Sequence, residues 1–565
     1  MGEYVPASAS SRKFHVIQTA PLPKGTPEYE AQIKAILDDF AAKVPEEFYL
    51  PRSIIDNPHK NVTNVPRESG LLSEEELEIT EKYDAVALAD AVASRKLTAV
   101  AVATAFGKRA IIAHQLTCCL TEWFMDEAIE RAKYLDDYLE KNGKTVGPLH
   151  GVPISVKDHM PLAGHYSAWG YFDTREFSKK DCQMVSIFRA AGAVFFCKTS
   201  QPQGIMHLES VSQFGRVLNP HNINLSAGGS TGGEAALIAM RGSILGIGTD
   251  IGGSVRGPAG FCGIYGFKAT SYTLPQRDFL PLGFAAELNV LCSTGPMCLT
   301  MRDMDLFCKV LLDGKPYLTD PKLIPIPRTG LATPVPAKPL KIGFYMNDGA
   351  IVPQPPVIKA LEWARSKLEA SPESFKVTTF APYGAARAWT NIRKAYWPDG
   401  KNAIRAHLAK TGEPMFPLTD WISNQVTDEE LLASGVLAQR LERDAFRCEF
   451  AEHWTDQDVD VVIGPVFVGP ATEHDTAFYW NYTAFWNYVD YPGVVFPTPV
   501  RALKKGEEAY ASVVPLTKDD AHVRELWKKG DFEGAPINLQ IVARRYHDNA
   551  LFGALAAIKE TLGLP

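Results

Sequence analysis

From about residue 150 onward, short apolar runs rich in β-branched residues alternate with amphipathic segments of helical period, and few folds accommodate that alternation. The runs are "VPISV" (152–156), "GAVFFC" (192–197), "SILGIG" (243–248), "KIGFYM" (341–346), "DVVIGPV" (460–466) and "GVVFPTPV" (493–500). A strand that is apolar at nearly every position is covered on both faces, so these runs predict a sheet enclosed by the helices between them, such as "CQMVSIFRAAG". The expected fold class is therefore α/β: a single large domain whose central mixed, mostly buried β-sheet is covered by helices on both faces. The proline-rich span 323–339, "LIPIPRTGLATPVPAKP", predicts an exposed excursion. The strand pattern resumes beyond it, which favours one continuous sheet over two independent folds.

The chain ahead of these runs is helical. Residues 27–43 repeat apolar positions at helical spacing, "SEEE" from Ser73 to Glu76 is a capping box, Thr98 is placed to cap a helix, and Gly143 to stop one. We divide the sequence into an N-terminal helical arm, 1–75, and a main domain, 76–565. With 46% hydrophobic and 22% charged residues, the 565-residue chain can bury a large core. A formal net charge of −7 leaves no basic footprint for nucleic acid. The nine cysteines, without CxxC spacing, predict buried free thiols in a reducing compartment and no metal site. The N-terminal "MGEYVPASASSRKF" has no signal-peptide core, and no run approaches the length of a membrane span. A cytoplasmic protein without stable membrane insertion is the expectation.

The chemistry concentrates in "GGSTGGEAALIAMRGSILGIGTDIGGS", 228–254, where Ser230 and Ser254 each sit in a glycine cluster. A phosphate-binding loop would end in Gly-Lys-Ser/Thr, but glutamate stands where that lysine belongs. A nucleophile elbow needs G-x-S-x-G and a histidine partner, whereas "GGSVR" places Arg256 at the second glycine. The remaining candidate base is Lys157, at the end of "GVPISVKD" and hence at the C-terminal end of a buried strand. To be half neutral at pH 7 its charged form must be disfavoured by roughly 4.6 kcal/mol, which burial can supply.

"GVPISVKD" (151–158), "GGSTGGE" (228–234) and "GTDIGGSVRGPAGFCGIYGFK" (248–268) resemble, in order, the three defining segments of the amidase signature enzymes. The likeness continues through "GPMCLTMRDMDLF" (295–307), "YMNDGAIVPQPPVIKALE" (345–362) and "APINLQIVARR" (535–545). It is nearest to fungal acetamidases and general amidases, as in "SGLLSEEELEITE" (69–81) and "DGKNAIRAHLAKTGEP" (399–414). The resemblance implies the amidase signature fold for 76–565, Ser254 as nucleophile, Ser230 as proton relay on a cis peptide, and Lys157 as base. It implies an acyl-enzyme, a small-molecule amide substrate and no cofactor. Backbone N–H groups of Ile251, Gly252, Gly253 and Ser254 are the expected oxyanion donors, framed by a buried pair of Asp250 and Arg256. Thr231 and Glu234 are expected to cap the following helix. Residues 478–491, with eight aromatics in fourteen positions, offer Trp480 and Trp486 as pocket walls, with Ile205 and Met206 beside them. A transamidase-type glutaminase, an esterase or lipid-amide hydrolase with the same triad, and a catalytically silent binding protein stay open, as do monomer and homodimer.

Overall fold

The computed structural model describes residues 14–279, 289–335, 338–426, 429–512 and 514–565. Residues 1–13 of the N-terminal segment, and 336 and 337 of the proline-rich span, lie outside them. Among the described residues the central sheet has eleven strands. In chain order they are β1 (Leu120–Trp123), β2 (Pro153–Lys157), β3 (Val194–Thr199), β4 (Leu245–Asp250), β5 (Tyr265–Lys268), β6 (Ser293–Cys298), β7 (Leu340–Phe344), β8 (Phe375–Thr379), β9 (Val461–Pro465), β10 (Gly493–Arg501) and β11 (Pro536–Val542).

Across the sheet the order is β1-β3-β2-β4-β6-β5-β10-β11-β9-β7-β8. Two parallel groups, β3-β2-β4 and β9-β7-β8, flank an antiparallel middle. This is the mixed α/β sheet expected, and all six apolar runs are strands of it. Five strands went unforeseen because their sequences carry other signals. β5 and β6 contain glycine or proline, β1 and β11 interleave polar residues, and β8 is a sheet edge whose middle is only half buried.

Two apolar bodies pack on this sheet. One is largely aliphatic and joins Val156, Ile247, Val495 and Leu539 of the strands to the helices Ala99–Thr117 and Asp548–Leu562. The N-terminal residues Phe14, Ile17 and Leu50 are buried in it, with the backbone of Ile17 and Leu50 hydrogen-bonded to Gln115. The other body is aromatic and is built by the helices Ala385–Tyr396, Ala433–Asp456 and Asn481–Tyr488. Phe446, Phe450 and Trp454 follow one another at four-residue intervals along one face of the second of these. Phe450 meets Phe485 edge to face at 4.9 Å, and Trp454 Nε1 donates to Val459 O at 2.9 Å.

Local signals behave as written. Ser73 and Glu76 exchange both capping-box hydrogen bonds, Thr98 Oγ1 accepts from Ala101 N–H, and Gly143 ends its helix at φ +66. The described part of the proline-rich span is mostly exposed and is pinned where Asn549 Oδ1 accepts from Thr329 and Gly330 N–H. The expectation that all nine cysteines are buried needs correction: Cys448 is exposed and Cys292 half-buried. Cys448 faces outward because the opposite face of its helix is the one that carries the aromatics. No helix among the described residues is long and apolar enough to cross a membrane.

Trp454→Ala would leave a large cavity in the aromatic body and an unpaired Val459 carbonyl. We expect a loss of about 3–5 kcal/mol, read as a fall in the thermal unfolding midpoint.

Candidate active site

β2 and β4 run parallel, with Leu245 opposite Ile154 and Ile247 opposite Val156, so their C-terminal ends, Lys157 and Asp250, open on the same edge of the sheet. Lys157 is wholly buried. Its Nζ lies 2.7 Å from Ser230 Oγ, 3.0 Å from Thr231 Oγ1 and 3.3 Å from Thr249 Oγ1. Three hydroxyls orient the amine without neutralising it. Burial pushes the Lys157 ammonium down to about 7, with Cys292, Asp250 and Glu234 drawing it back up only in part.

The expected capping roles of Thr231 and Glu234 are not what the side chains do. Thr231 occupies the cap position of the helix Gly232–Ala239, but its hydroxyl makes no capping bond and faces Lys157 instead. Glu234 lies beneath the sheet, where Ser155 Oγ donates to it, and burial pushes its carboxyl up to about 8. Both side chains turn inward because the helix start is itself buried against β2 and β4.

Ser254 belongs to the turn between β4 and the helix Arg256–Cys262. Asp250 organises that turn. Its Oδ1 accepts from Gly253 N–H at 2.8 Å and Arg256 Nη2 at 3.0 Å, and its Oδ2 accepts from Val255 N–H and Arg256 Nε, each at 3.1 Å. Burial alone would raise the Asp250 carboxyl, but Arg256 beside it holds it well below the usual carboxylate range. The turn's carbonyls are tied outward: Tyr396 OH donates to Ile251 O at 3.1 Å, and Thr483 Oγ1 to Gly252 O at 2.8 Å. Gly253 has φ +128, and a Cβ there would lie 2.1 Å from Thr483 Oγ1, so no other residue fits.

The N–H groups of Ile251, Gly252 and Ser254 make no hydrogen bond to a described residue. Gly253 must be removed from the four expected donors, because the Asp250 carboxylate already takes its N–H.

The Gly229–Ser230 peptide is cis, and Thr231 N–H donates to Ser254 O at 3.1 Å, which ties the two serine turns together. Ser254 is 8% exposed and faces a narrow pocket lined by Ile205, Met206, His207, Leu208, Tyr396 and Trp480. Of the four residues expected to border a pocket, Ile205, Met206 and Trp480 line this one. The fourth, Trp486, is not a pocket wall: it is buried in the aromatic body, 6.1 Å from both Phe450 and Tyr345. Trp480 also contacts Trp389 and Trp421, which line a separate cavity of about 470 Å³.

Sequence reasoning missed the residues that hold the turn from the aromatic side. Asn487 Nδ2 donates to Asp250 Oδ1 at 2.9 Å, and its Oδ1 accepts from Arg256 Nη2 at 2.6 Å. Arg256 also donates to Gln540 Oε1 at 3.2 Å. The usable signal was a polar pair, Thr483 and Asn487, at helical spacing within an aromatic run. Among the described residues no group of three or more His, Cys, Asp or Glu could hold a metal ion.

A strand-ending buried lysine, two serine turns and a mixed eleven-stranded sheet define an amide hydrolase of the amidase signature class. The family model described as Amidase matches residues 101–552, and the chain belongs to that family. It is 32% identical to an acetamidase of Emericella nidulans over 558 residues, 96% of this chain and 99% of that one. It is 35% identical to an amidase of Gibberella moniliformis over 543 residues, 92% of this chain and 96% of the other. A solved structure named fatty acid amide hydrolase superposes with a TM-score of 0.86 at 30% identity, over 95% of this chain and 97% of that one.

Removing one member of the Asp250–Arg256 pair strands the other as a buried charge. Arg256→Met should destabilise the protein by about 3–5 kcal/mol, measured by chemical or thermal unfolding of wild type and variant side by side.

Proposed function

We propose that the chain hydrolyses small carboxylic amides to an acid and ammonia or an amine, with Ser254 as nucleophile, Ser230 as relay and Lys157 as base. The observation that carries this is a wholly buried Lys157 amine 2.7 Å from Ser230 Oγ. Neutral Lys157 takes the Ser230 proton, and Ser230 takes that of Ser254 as the Ser254 oxygen bonds to the carbonyl carbon. The oxyanion is received by the N–H groups of Ile251, Gly252 and Ser254, and a donor of this kind is worth roughly 2.7–4 kcal/mol in the transition state.

Collapse breaks the C–N bond while Ser230 returns a proton to the leaving nitrogen and Lys157 reprotonates Ser230. Water, deprotonated through the same relay, then attacks the acyl-enzyme, and Ser254 leaves with a proton. Every step uses side chains and backbone alone. Residues 76–565 form the catalytic unit in this scheme, with 1–75 as its helical arm. Nine unpaired cysteines support a reducing compartment, the cytoplasm.

The sign of the pH dependence follows from the base. Lys157 works only when neutral, so kcat/KM on a simple amide should rise with pH through about 7 and level off above it. Lys157→Ala should lose several orders of magnitude in acylation, and its residual rate should climb with pH beyond the wild-type plateau. A fluorophosphonate should label wild type and leave Ser254→Ala unlabelled; persistent labelling overturns the nucleophile. Activity on glutamine alone, and only with a second protein, would replace the simple amidase with a transamidase subunit.

A further inference from the structure

Strand β4 reads "LGIGTD", and its two glycines make room for side chains at the start of the helix Gly232–Ala239. A Cβ on Gly248 would stand 3.2 Å from Thr231 Oγ1, and one on Gly246 would run into Glu234 Oε2. On β2, Ser155 and Lys157 are two residues apart and so point to the same face of the sheet. Lys157 meets Thr231, Ser155 Oγ donates to Glu234, and Gly246 pairs with Ser155 in the register. Sheet and helix therefore face each other in two polar rungs, one holding the Lys157 amine and the next holding a carboxyl. The triad uses only the first.

Glu234 is as fully buried as Lys157, and sealing a carboxyl away from water without a cation against it is costly. Hydroxyls of Ser155 and Thr199 favour its ionised form, and Lys157 is the cation that bears on it. Thr199 lies opposite Lys157 in the β2–β3 register, so carboxyl and amine share neighbours. Cys197 on β3 and Cys119 ahead of β1 also stand near Glu234, but burial pushes both thiols up and they bring no charge. Ionisable groups on the other elements around this helix are engaged elsewhere. Arg109 donates to Met240 O, His114 Nδ1 accepts from Leu120 N–H, Cys298 Sγ donates to Thr300 O, and Asp250 pairs with Arg256.

We propose that Glu234 is a positioning residue for the base: its carboxylate, on the rung next to the amine, stabilises the ammonium that Lys157 becomes when it takes the Ser230 proton. This rests on the triad proposed above. A negative charge one rung away raises the proton affinity that burial lowers, so Glu234 makes Lys157 a stronger base than its sealed position alone would allow. The same pairing pulls the Glu234 carboxyl down from where burial sets it. Cys292 and Asp250 act on Lys157 in the same direction and are unchanged in every variant below. Two groups coupled in this way lose their protons together, so kcat/KM of wild type should rise over a wider pH span than one ionisation gives.

The test is the pH profile of kcat/KM on a simple amide such as acetamide, with the rate of fluorophosphonate labelling of Ser254 followed over the same range. Glu234→Gln keeps the shape and a partner for Ser155 while removing the charge. Its lysine should lose the proton at lower pH, so the midpoint should move down by on the order of one pH unit, as for a charge roughly 7 Å away, and narrow to a single step. The plateau should also fall, because a weaker base drives proton transfer less. Glu234→Asp, which keeps the charge, should stay nearer the wild-type midpoint. Ser155→Ala withdraws a hydroxyl from the ionised carboxyl and should move the midpoint down by less than Glu234→Gln does. A carboxyl with a merely structural role would change the plateau and leave the midpoint in place. A wild-type midpoint in Glu234→Gln, or in Ser155→Ala should Glu234→Gln not fold, overturns the role of Glu234 and leaves the triad standing. A wild-type profile in Lys157→Ala would instead overturn the base on which the proposal rests.

Discussion

A carboxylate sealed at the end of a central strand has to be satisfied entirely by the protein, and Asp250 is satisfied from three sources. Backbone N–H groups of its own turn, the guanidinium of Arg256 and the amide of Asn487 all converge on it. Arg256 in turn reaches Thr483 O, Asn487 and Gln540, so the β4 turn, the helix after it, the helix Asn481–Tyr488 and β11 are locked together through one ion pair. The position of Ser254 is therefore set by the satisfaction of a charge, and the turn has little freedom to drift. Tyr396 draws the Ile251 carbonyl outward, and the N–H on the other side of that peptide, that of Gly252, makes no hydrogen bond to a described residue, whereas the N–H of the Gly252–Gly253 peptide goes to Asp250.

The same exclusion of water that obliges Asp250 to be paired acts in the opposite sense on Lys157. Asp250 has a guanidinium against it and stays charged. Lys157 has hydroxyls against it, which hydrogen-bond to an amine as readily in its neutral state, and burial lowers its proton affinity. Glu234, also buried, is itself pushed up to about 8 and draws the lysine back toward its ammonium form only in part. Two buried ionisable groups at the ends of adjacent parallel strands are thus held in different protonation states by their neighbours. That separation is what the proposed mechanism asks of Lys157 as a base beside a rigid electrostatic frame.

The aromatic segment 478–491 serves two purposes that its composition does not separate. Tyr482, Phe485, Trp486 and Tyr488 pack the second apolar body, Thr483 and Asn487 hold the glycine turn, and Trp480 alone among its tryptophans reaches the Ser254 pocket. This short helix and its cap residue Trp480 therefore carry core, frame and pocket wall within nine residues. A substitution here will report on stability, turn geometry or substrate fit according to which of these the residue serves.

Much of this protein is legible along the chain. The buried strands show as unbroken apolar runs, the helix ends at Ser73, Thr98 and Gly143 as caps, and the two serine clusters and the strand-end lysine as segments whose order and composition suit one family. These are local facts, since periodicity, capping and glycine content are decided within a few residues of one another. What only the tertiary structure decided is which groups meet across long sequence separations. Asn487, Thr483, Tyr396 and Gln540 are more than 140 residues from the turn they hold. Gly253 N–H looked free in the sequence and is claimed by Asp250, Thr231 looked like a cap and faces the lysine, and Trp486 looked like a pocket wall and lies in the core. The physical reason is the same in each case: a side chain's role is fixed by the partners that satisfy it after water is excluded, and a linear sequence names the side chain without naming those partners.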